Sequence, residues 1–249
     1  MTFCIGMKVK DGLVGIADTR VTTGVEQITA RKIAIIERKQ HAMFIMTSGL
    51  RSARDKALTY FEEVLTERDE SFDKLYKAVN ALAKQVRRVG AEDRAALSEA
   101  GYSFNLHCII GGQLENDVEH KLYLLYPQAN WVEVAESTPY YVIGESSYGK
   151  PLLDRVLTCD SSIETALKVG YLAFDATRIA ATDVNFPIDV VLYRPGTYKI
   201  AQHRYEADQL RPVGRWWQKR LIKSVKELPN HWVITAIEKL NNINNSDDD

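Results

Sequence analysis

The chain has 249 residues, 45% of them hydrophobic and 26% charged, with a formal net charge of -1. That length and apolar content suffice for one large core, and a charge so close to balance excludes chain-wide electrostatic capture of nucleic acid. The cysteines Cys4, Cys108 and Cys159 stand apart from one another, which points to apolar packing in a reducing compartment rather than to a disulfide or zinc framework.

Two apolar runs, Phe3 to Val9 and Leu13 to Ala17, flank Asp11-Gly12, a strong signal for a tight hairpin. The chain therefore starts inside a sheet. Chain ends usually fray, so a terminus built into a core strand implies that its position has a purpose. Lys8, Lys10 and Asp11 interrupt this opening, so it reads neither as a secretion signal nor as a membrane span. A cytoplasmic protein that touches no membrane is expected.

Lys32 to Ile36 and Ala42 to Met46 supply two further strands. The period then changes. Leu50, Ala53, Ala57, Phe61, Val64 and Leu65 recur at helical spacing, as do Leu75, Val79, Leu82, Val86 and Val89, giving two amphipathic helices that break near Asp69 to Ser71. Phe104 to Ile110, Lys121 to Tyr126 and Tyr140 to Ile143 return to strand, divided by turns at Gly111-Gly112 and Pro127 to Asn130.

A helix opens at Gly149-Lys150-Pro151, where the missing proline N–H would be unpaired anyway. Another opens at Ser161 with Glu164 three residues on, the spacing of a capping box. Ile188 to Tyr193 and Tyr198 to His203 close the pattern as a hairpin around Pro195-Gly196. This order predicts an α+β domain over residues 1–204, two stacked antiparallel sheets with helices outside. Residues 205–240 read as a partly helical extension that serves assembly. Residues 241–249 are polar and acidic, with only Ile243 to form a core, and read as a disordered tail.

The chemistry is most legible at the start. If Met1 is removed, Thr2 carries a hydroxyl and a free α-amine on one residue, a nucleophile with its own base. An α-amine titrates near about pH 8. A neighbouring cation keeps it neutral by like-charge repulsion and polarises the hydroxyl, a role that Lys32 can fill, with Asp18 holding Lys32 charged and oriented. Taken singly, the three read equally well as a second residue, a strand-end carboxylate and a solvated charge.

Together, Thr2, the run Ala17-Asp18-Thr19-Arg20-Val21-Thr22, Lys32 and Thr47-Ser48-Gly49-Leu50 resemble the β-type subunits of the proteasome, within the N-terminal-nucleophile hydrolases. The Met-Thr start, the Tyr148-Gly149-Lys150-Pro151 turn and the C-terminal extension resemble in particular the bacterial ancestral β-subunit group, Anbu. The likeness runs from Thr2 to about Arg204, and the ordered set carries it rather than any single motif. It implies a four-layer αββα sandwich, in agreement with the order of elements. It implies Thr2 as nucleophile, Asp18 and Lys32 as its acid and lysine partners, and the Gly49 N–H as oxyanion donor. It further implies that Ser146, or Glu145 before it, takes the place of a turn serine, and that Asp175 is a second acid near the terminal amine. Thr177 is the nearest candidate for the serine that accompanies that acid. Relatives of this group need no propeptide, so a methionine aminopeptidase is expected to expose Thr2.

Other constellations read as structure. Gly144-x4-Gly149-Lys150 nearly spells a phosphate loop, but Pro151 stands where a Mg²⁺-binding hydroxyl belongs. Ser146 and Ser147 lack the second glycine of a nucleophile elbow. The five histidines, His41, His107, His120, His203 and His231, show no metal-ligand spacing, and no cofactor or metal is expected. Arg215-Trp216-Trp217-Gln218-Lys219-Arg220 interleaves rings and cations as nucleic-acid binders can, yet reads as a helix anchoring its aromatics on a core or a neighbouring subunit.

The expected function is a threonine hydrolase that cleaves peptide or amide bonds of unfolded chains or peptides inside a homo-oligomer, a ring or an open spiral. The alternative is an assembly or scaffold subunit with little peptidase activity, for which Glu145 in the turn-serine position speaks. A third reading is hydrolysis of a small metabolite amide.

Overall fold

The computed structural model describes residues 2–23, 26–68 and 72–244. The opening hairpin forms as expected, β1 (Phe3–Val9) pairing antiparallel with β2 (Gly12–Asp18), Cys4 opposite Ala17. Its ladder closes with Val9 opposite Gly12, one residue earlier than the Asp11-Gly12 turn suggests. The polar strands β3 (Arg20–Thr23) and β4 (Glu26–Thr29) make a small separate ribbon. Next come β5 (Ile33–Arg38), β6 (His41–Gly49), α1 (Arg51–Arg68) and α2 (Leu75–Glu99). The expected helix break at 69–71 lies outside the described residues.

After the helices, β7 (Leu106–Gln113), β8 (Lys121–Leu125), the short β9 (Trp131–Glu133) and β10 (Tyr140–Gly144) follow. Helices α3 (Lys150–Val156) and α4 (Ile163–Ala180) and the hairpin β11 (Ile188–Tyr193) and β12 (Ile200–Tyr205) complete the sandwich. Pro151 sits in the first turn of α3 as predicted. The cap of α4 is Ser162, whose Oγ accepts from the Thr165 N–H at 3.1 Å. Ser161 instead accepts from the Thr158 N–H, so the predicted capping box is off by one.

The strands form two antiparallel five-stranded sheets, in the orders β10-β1-β2-β11-β12 and β5-β6-β7-β8-β9. Side chains alternate along each strand and so feed two different layers. Phe44 and Met46 point inward to meet Cys4, Leu13 and Val191 between the sheets, whereas Met43 and Ile45 point outward to Phe61, Leu75, Val79 and Val86 of α1 and α2. On the other side, α4 covers β1 and β2: Phe174 packs on Phe3 with ring centroids 6.0 Å apart. Gly170 comes so close that a Cβ there would lie 2.5 Å from Met7 Cε. Two antiparallel sheets flanked by helices, an α+β sandwich, is the fold expected from the sequence.

From Asp208 on, the described residues make a second compact unit. It holds nearly all of α5 (Ala207–Lys226) and α6 (His231–Asn244). Trp216, Ile222, Val225 and Trp232 are exposed, and the Arg220 guanidinium lies over the Trp216 ring at 5.2 Å. Because α6 reaches Asn244, the first residues of the tail expected to lack order are helical; residues 245–249 lie outside the described residues.

Candidate active site

Three strand ends meet at Thr2. The ladders set Phe3 opposite Gly144 of β10 and Cys4 opposite Ala17 of β2, so Thr2 emerges beside the ends of both neighbours. Its carbonyl accepts from the Glu145 N–H at 2.7 Å. Gly144 has φ 86°, and a Cβ there would lie 1.9 Å from the Thr2 carbonyl oxygen, so glycine is what lets β10 close over the start of β1.

Asp18 terminates β2 and turns inward. Its Oδ1 accepts from the Phe3 N–H at 2.8 Å and from Lys32 Nζ at 2.6 Å, and Lys32 Nζ also donates to the Arg20 carbonyl at 2.7 Å. Asp18 is 0% and Lys32 5% exposed. Isolated, either charge would be costly at that depth, so each depends on the other. Burial pushes the Asp18 carboxyl above its ordinary range, while the Lys32 ammonium and the Phe3 N–H pull against that rise.

The second sheet brings the lysine to the cleft of Thr2. Lys32 directly precedes β5, and its carbonyl accepts from the Thr47 N–H at 3.1 Å, pinning it against the end of β6. That end is Gly49, at φ 127°, where a Cβ would fall 2.0 Å from the Asn105 carbonyl oxygen. The same carbonyl accepts from the Leu50 N–H at 2.8 Å, which fixes the strand-to-helix corner.

Thr2, Lys32 and Gly49 thus line one cleft of about 360 Å³, together with Arg20, Thr47, Ser48, Arg51, Arg54, Asn105 and Gly144. Asp18 stands behind Lys32. The other predicted residues are placed differently. Asp175 is buried on α4, but the Arg178 guanidinium holds its Oδ1, with contacts of 2.6 and 2.8 Å. Thr177, the expected companion of Asp175, donates to the Ala173 carbonyl instead. Ser146 does not line the cleft; of that turn, Glu145 reaches Thr2 through its backbone N–H, and its carboxylate accepts from the Ser147 N–H at 3.2 Å. Met1 lies outside the described residues.

Reading the sequence missed the Arg20 carbonyl as a partner of Lys32, and Arg51 and Arg54 as cleft residues. Their i, i+3 spacing after Leu50 signals only a shared helix face, not a place in the cleft. Among the described residues no group of His, Cys, Asp and Glu is placed to hold a metal. No helix there is long and apolar enough to cross a membrane. Burial pushes the thiols of Cys4 and Cys108 up, which removes them as nucleophiles.

The family of proteasome subunits matches residues 2–191. The chain belongs to that family. Its fold is shared with solved structures of Anbu. A mutant of Anbu from Hyphomicrobium sp. strain MC1 superposes with a TM-score of 0.85 at 28% identity, over 92% of this chain and 99% of that one. Anbu, the ancestral β-subunit, from Yersinia bercovieri gives 0.83 at 26%, over 91% and 97%. The helical assembly of the Anbu complex from Pseudomonas aeruginosa gives 0.85 at 28%, over 91% and 97%. No curated protein matches by sequence. Within a family of proteasome subunits, a cleft joining Thr2, Lys32 and Gly49 is a candidate for hydrolytic chemistry.

Proposed function

We propose that this proteasome-type subunit is an amide hydrolase whose nucleophile is Thr2, active once the residue before it has been removed. The observation that carries the reading is the buried Asp18–Lys32 pair, whose lysine lines the same cleft as Thr2. A cation held that deep by a carboxylate supplies a fixed positive potential, which favours a neutral α-amine and a polarised hydroxyl beside it.

In the proposed reaction the Thr2 hydroxyl oxygen bonds to the amide carbonyl carbon while its proton passes to the α-amine. The Gly49 N–H donates to the oxyanion. Collapse breaks the C–N bond, and the departing nitrogen takes the proton from the α-ammonium, leaving an ester on Thr2. Water then adds to the ester, giving a carboxylic acid and free Thr2. Asp18, Lys32, Thr2 and Gly49 are the residues in this scheme. Ser146 has no step, and Asp175, held by Arg178, acts only if that pair opens.

We further read the chain as working in a homo-oligomer in the cytoplasm, on peptides or unfolded chains. Support for assembly comes from the exposed apolar residues of α5 and α6 and from the relative described as a helical assembly. A second reading, a scaffold subunit without turnover, is favoured by one observation, the engagement of Asp175 by Arg178. Reaction with a peptide vinyl sulfone, followed by peptide mapping, separates the two. The hydrolase gives an adduct on Thr2 that Lys32→Ala abolishes; the scaffold assembles to the same size and gives none.

A further inference from the structure

Four of the ten residues that line the Thr2 cleft are cations, Arg20, Lys32, Arg51 and Arg54, and none is an anion. Neighbouring carboxylates offset this only in part. Among the described residues Asp18 balances Lys32, and a single carboxylate, Asp55, faces both helix arginines, Arg54 at 2.6 Å and Arg51 at 3.4 Å. Arg54 is further tied to the Arg31 carbonyl at 3.2 Å. Arg51 is different. Its side chain is 56% exposed and touches Asp55 only through Nε, so its terminal nitrogens are not engaged among the described residues.

Arg51 also opens α1, whose first turn carries no acidic residue. The first N–H groups of a helix lack intrahelical acceptors and present a partial positive charge. A carboxylate in that turn would offset this charge; here two arginines stand there instead. A second observation points the same way. Thr47 lines the cleft at 4% exposure, and its hydroxyl has no hydrogen-bond partner among the described residues. A buried hydroxyl without a partner costs free energy that a bound acceptor recovers.

We propose that the cleft selects a carboxylate on the residue adjacent to the scissile amide, held by Arg51 at the start of α1 with the Thr47 hydroxyl as a further donor. This rests on the hydrolase reading for its link to cleavage, but the binding itself does not require Thr2 to react. The carboxylate is either an acidic side chain or the free C-terminus of a very short peptide. In both cases a guanidinium takes it through charge-assisted hydrogen bonds.

The test measures equilibrium binding to the full-length Thr2→Ala protein, which cannot react. The probes are acetyl-Ala-Ala-Glu amide, acetyl-Ala-Ala-Ala with a free carboxylate, and acetyl-Ala-Ala-Leu amide. At least one carboxylate probe binds about tenfold or more tightly than the leucyl amide, and which one it is names the source. Adding Arg51→Ala removes that preference, Arg51→Glu reverses it, and rising salt weakens it. Equal or tighter binding of the leucyl amide overturns the proposal, as does a carboxylate preference that survives Arg51→Glu. In parallel, vinyl sulfones bearing glutamate or leucine are offered to the protein with Thr2 intact. Absence of any Thr2 adduct sinks the hydrolase reading alone, whereas adducts formed faster with leucine sink the carboxylate preference alone.

Discussion

The two flanks of Thr2 are built differently. On the lysine flank, Asp18 and Lys32 are locked together under burial, the Phe3 N–H donating to Asp18 Oδ1 and the Arg20 carbonyl accepting from Lys32, while Asp18 Oδ2 has no hydrogen-bond partner among the described residues. On the α4 flank, the acid that the family likeness assigns to the site is held by a neighbour on its own helix, Arg178. One flank presents a fixed potential to the cleft, and the other keeps its charge to itself. Burial without a partner is costly, so both acids are paired; what differs is whether the partner lines the cleft of Thr2, as Lys32 does and Arg178 does not.

The largest effect that can break this comparison is Lys32→Ala. It strands the Asp18 carboxylate in a buried site, so thermal unfolding is expected to show a loss of about 3–5 kcal/mol, and labelling of Thr2 falls by roughly a hundredfold or more. Unchanged labelling means the lysine flank is only structural. Next, Gly144→Ala drives a Cβ into the Thr2 carbonyl and displaces Thr2, at a cost of about a hundredfold in labelling. A crystal structure of that variant with Thr2 unmoved contradicts the role given to the turn.

The α4 flank gives a smaller effect. Asp175→Asn lowers labelling by less than about tenfold, because the carboxylate it removes is already committed to Arg178. A loss as large as that of Lys32→Ala shows that the Asp175–Arg178 pair opens during the reaction. The smallest effect locates the response to mild acid. Burial holds His120 below its ordinary pKa, so the folded chain resists a proton that the unfolded chain accepts. Its contribution to stability is present above about pH 6.5 and is lost as pH falls below it. His120→Gln is therefore expected to flatten the fall in melting temperature between about pH 7.5 and 5.5. If the fall is instead removed by His107→Gln, the half-buried imidazole on β7, which burial also holds below its ordinary pKa, governs it.

Much of the lysine flank was legible in the sequence because it rests on strand ends. Two apolar runs around the first turn located β1 and β2, and the placement of Asp18 and Lys32 follows once those strands end where their apolar runs do. The α4 flank was harder. The family likeness led from Asp175 to Thr177 as the nearest candidate for a companion hydroxyl, but on a helix the neighbour of Asp175 is three residues on, and that is Arg178. The β3 and β4 ribbon carries polar residues without alternation and gives no strand signal. Arg51 and Arg54 look like solvated charges on a surface helix. Only the stacking of the two sheets shows that their helix begins at the cleft of Thr2.

The central claim is that Thr2, freed of the residue before it, is a nucleophile set by the Asp18–Lys32 pair. The most direct measurement is intact mass and peptide mapping of the purified protein before and after a peptide vinyl sulfone. The account predicts a chain beginning at Thr2 that gains one adduct, on Thr2. A chain that keeps a residue before Thr2, or one that begins at Thr2 and gains no adduct there, contradicts it.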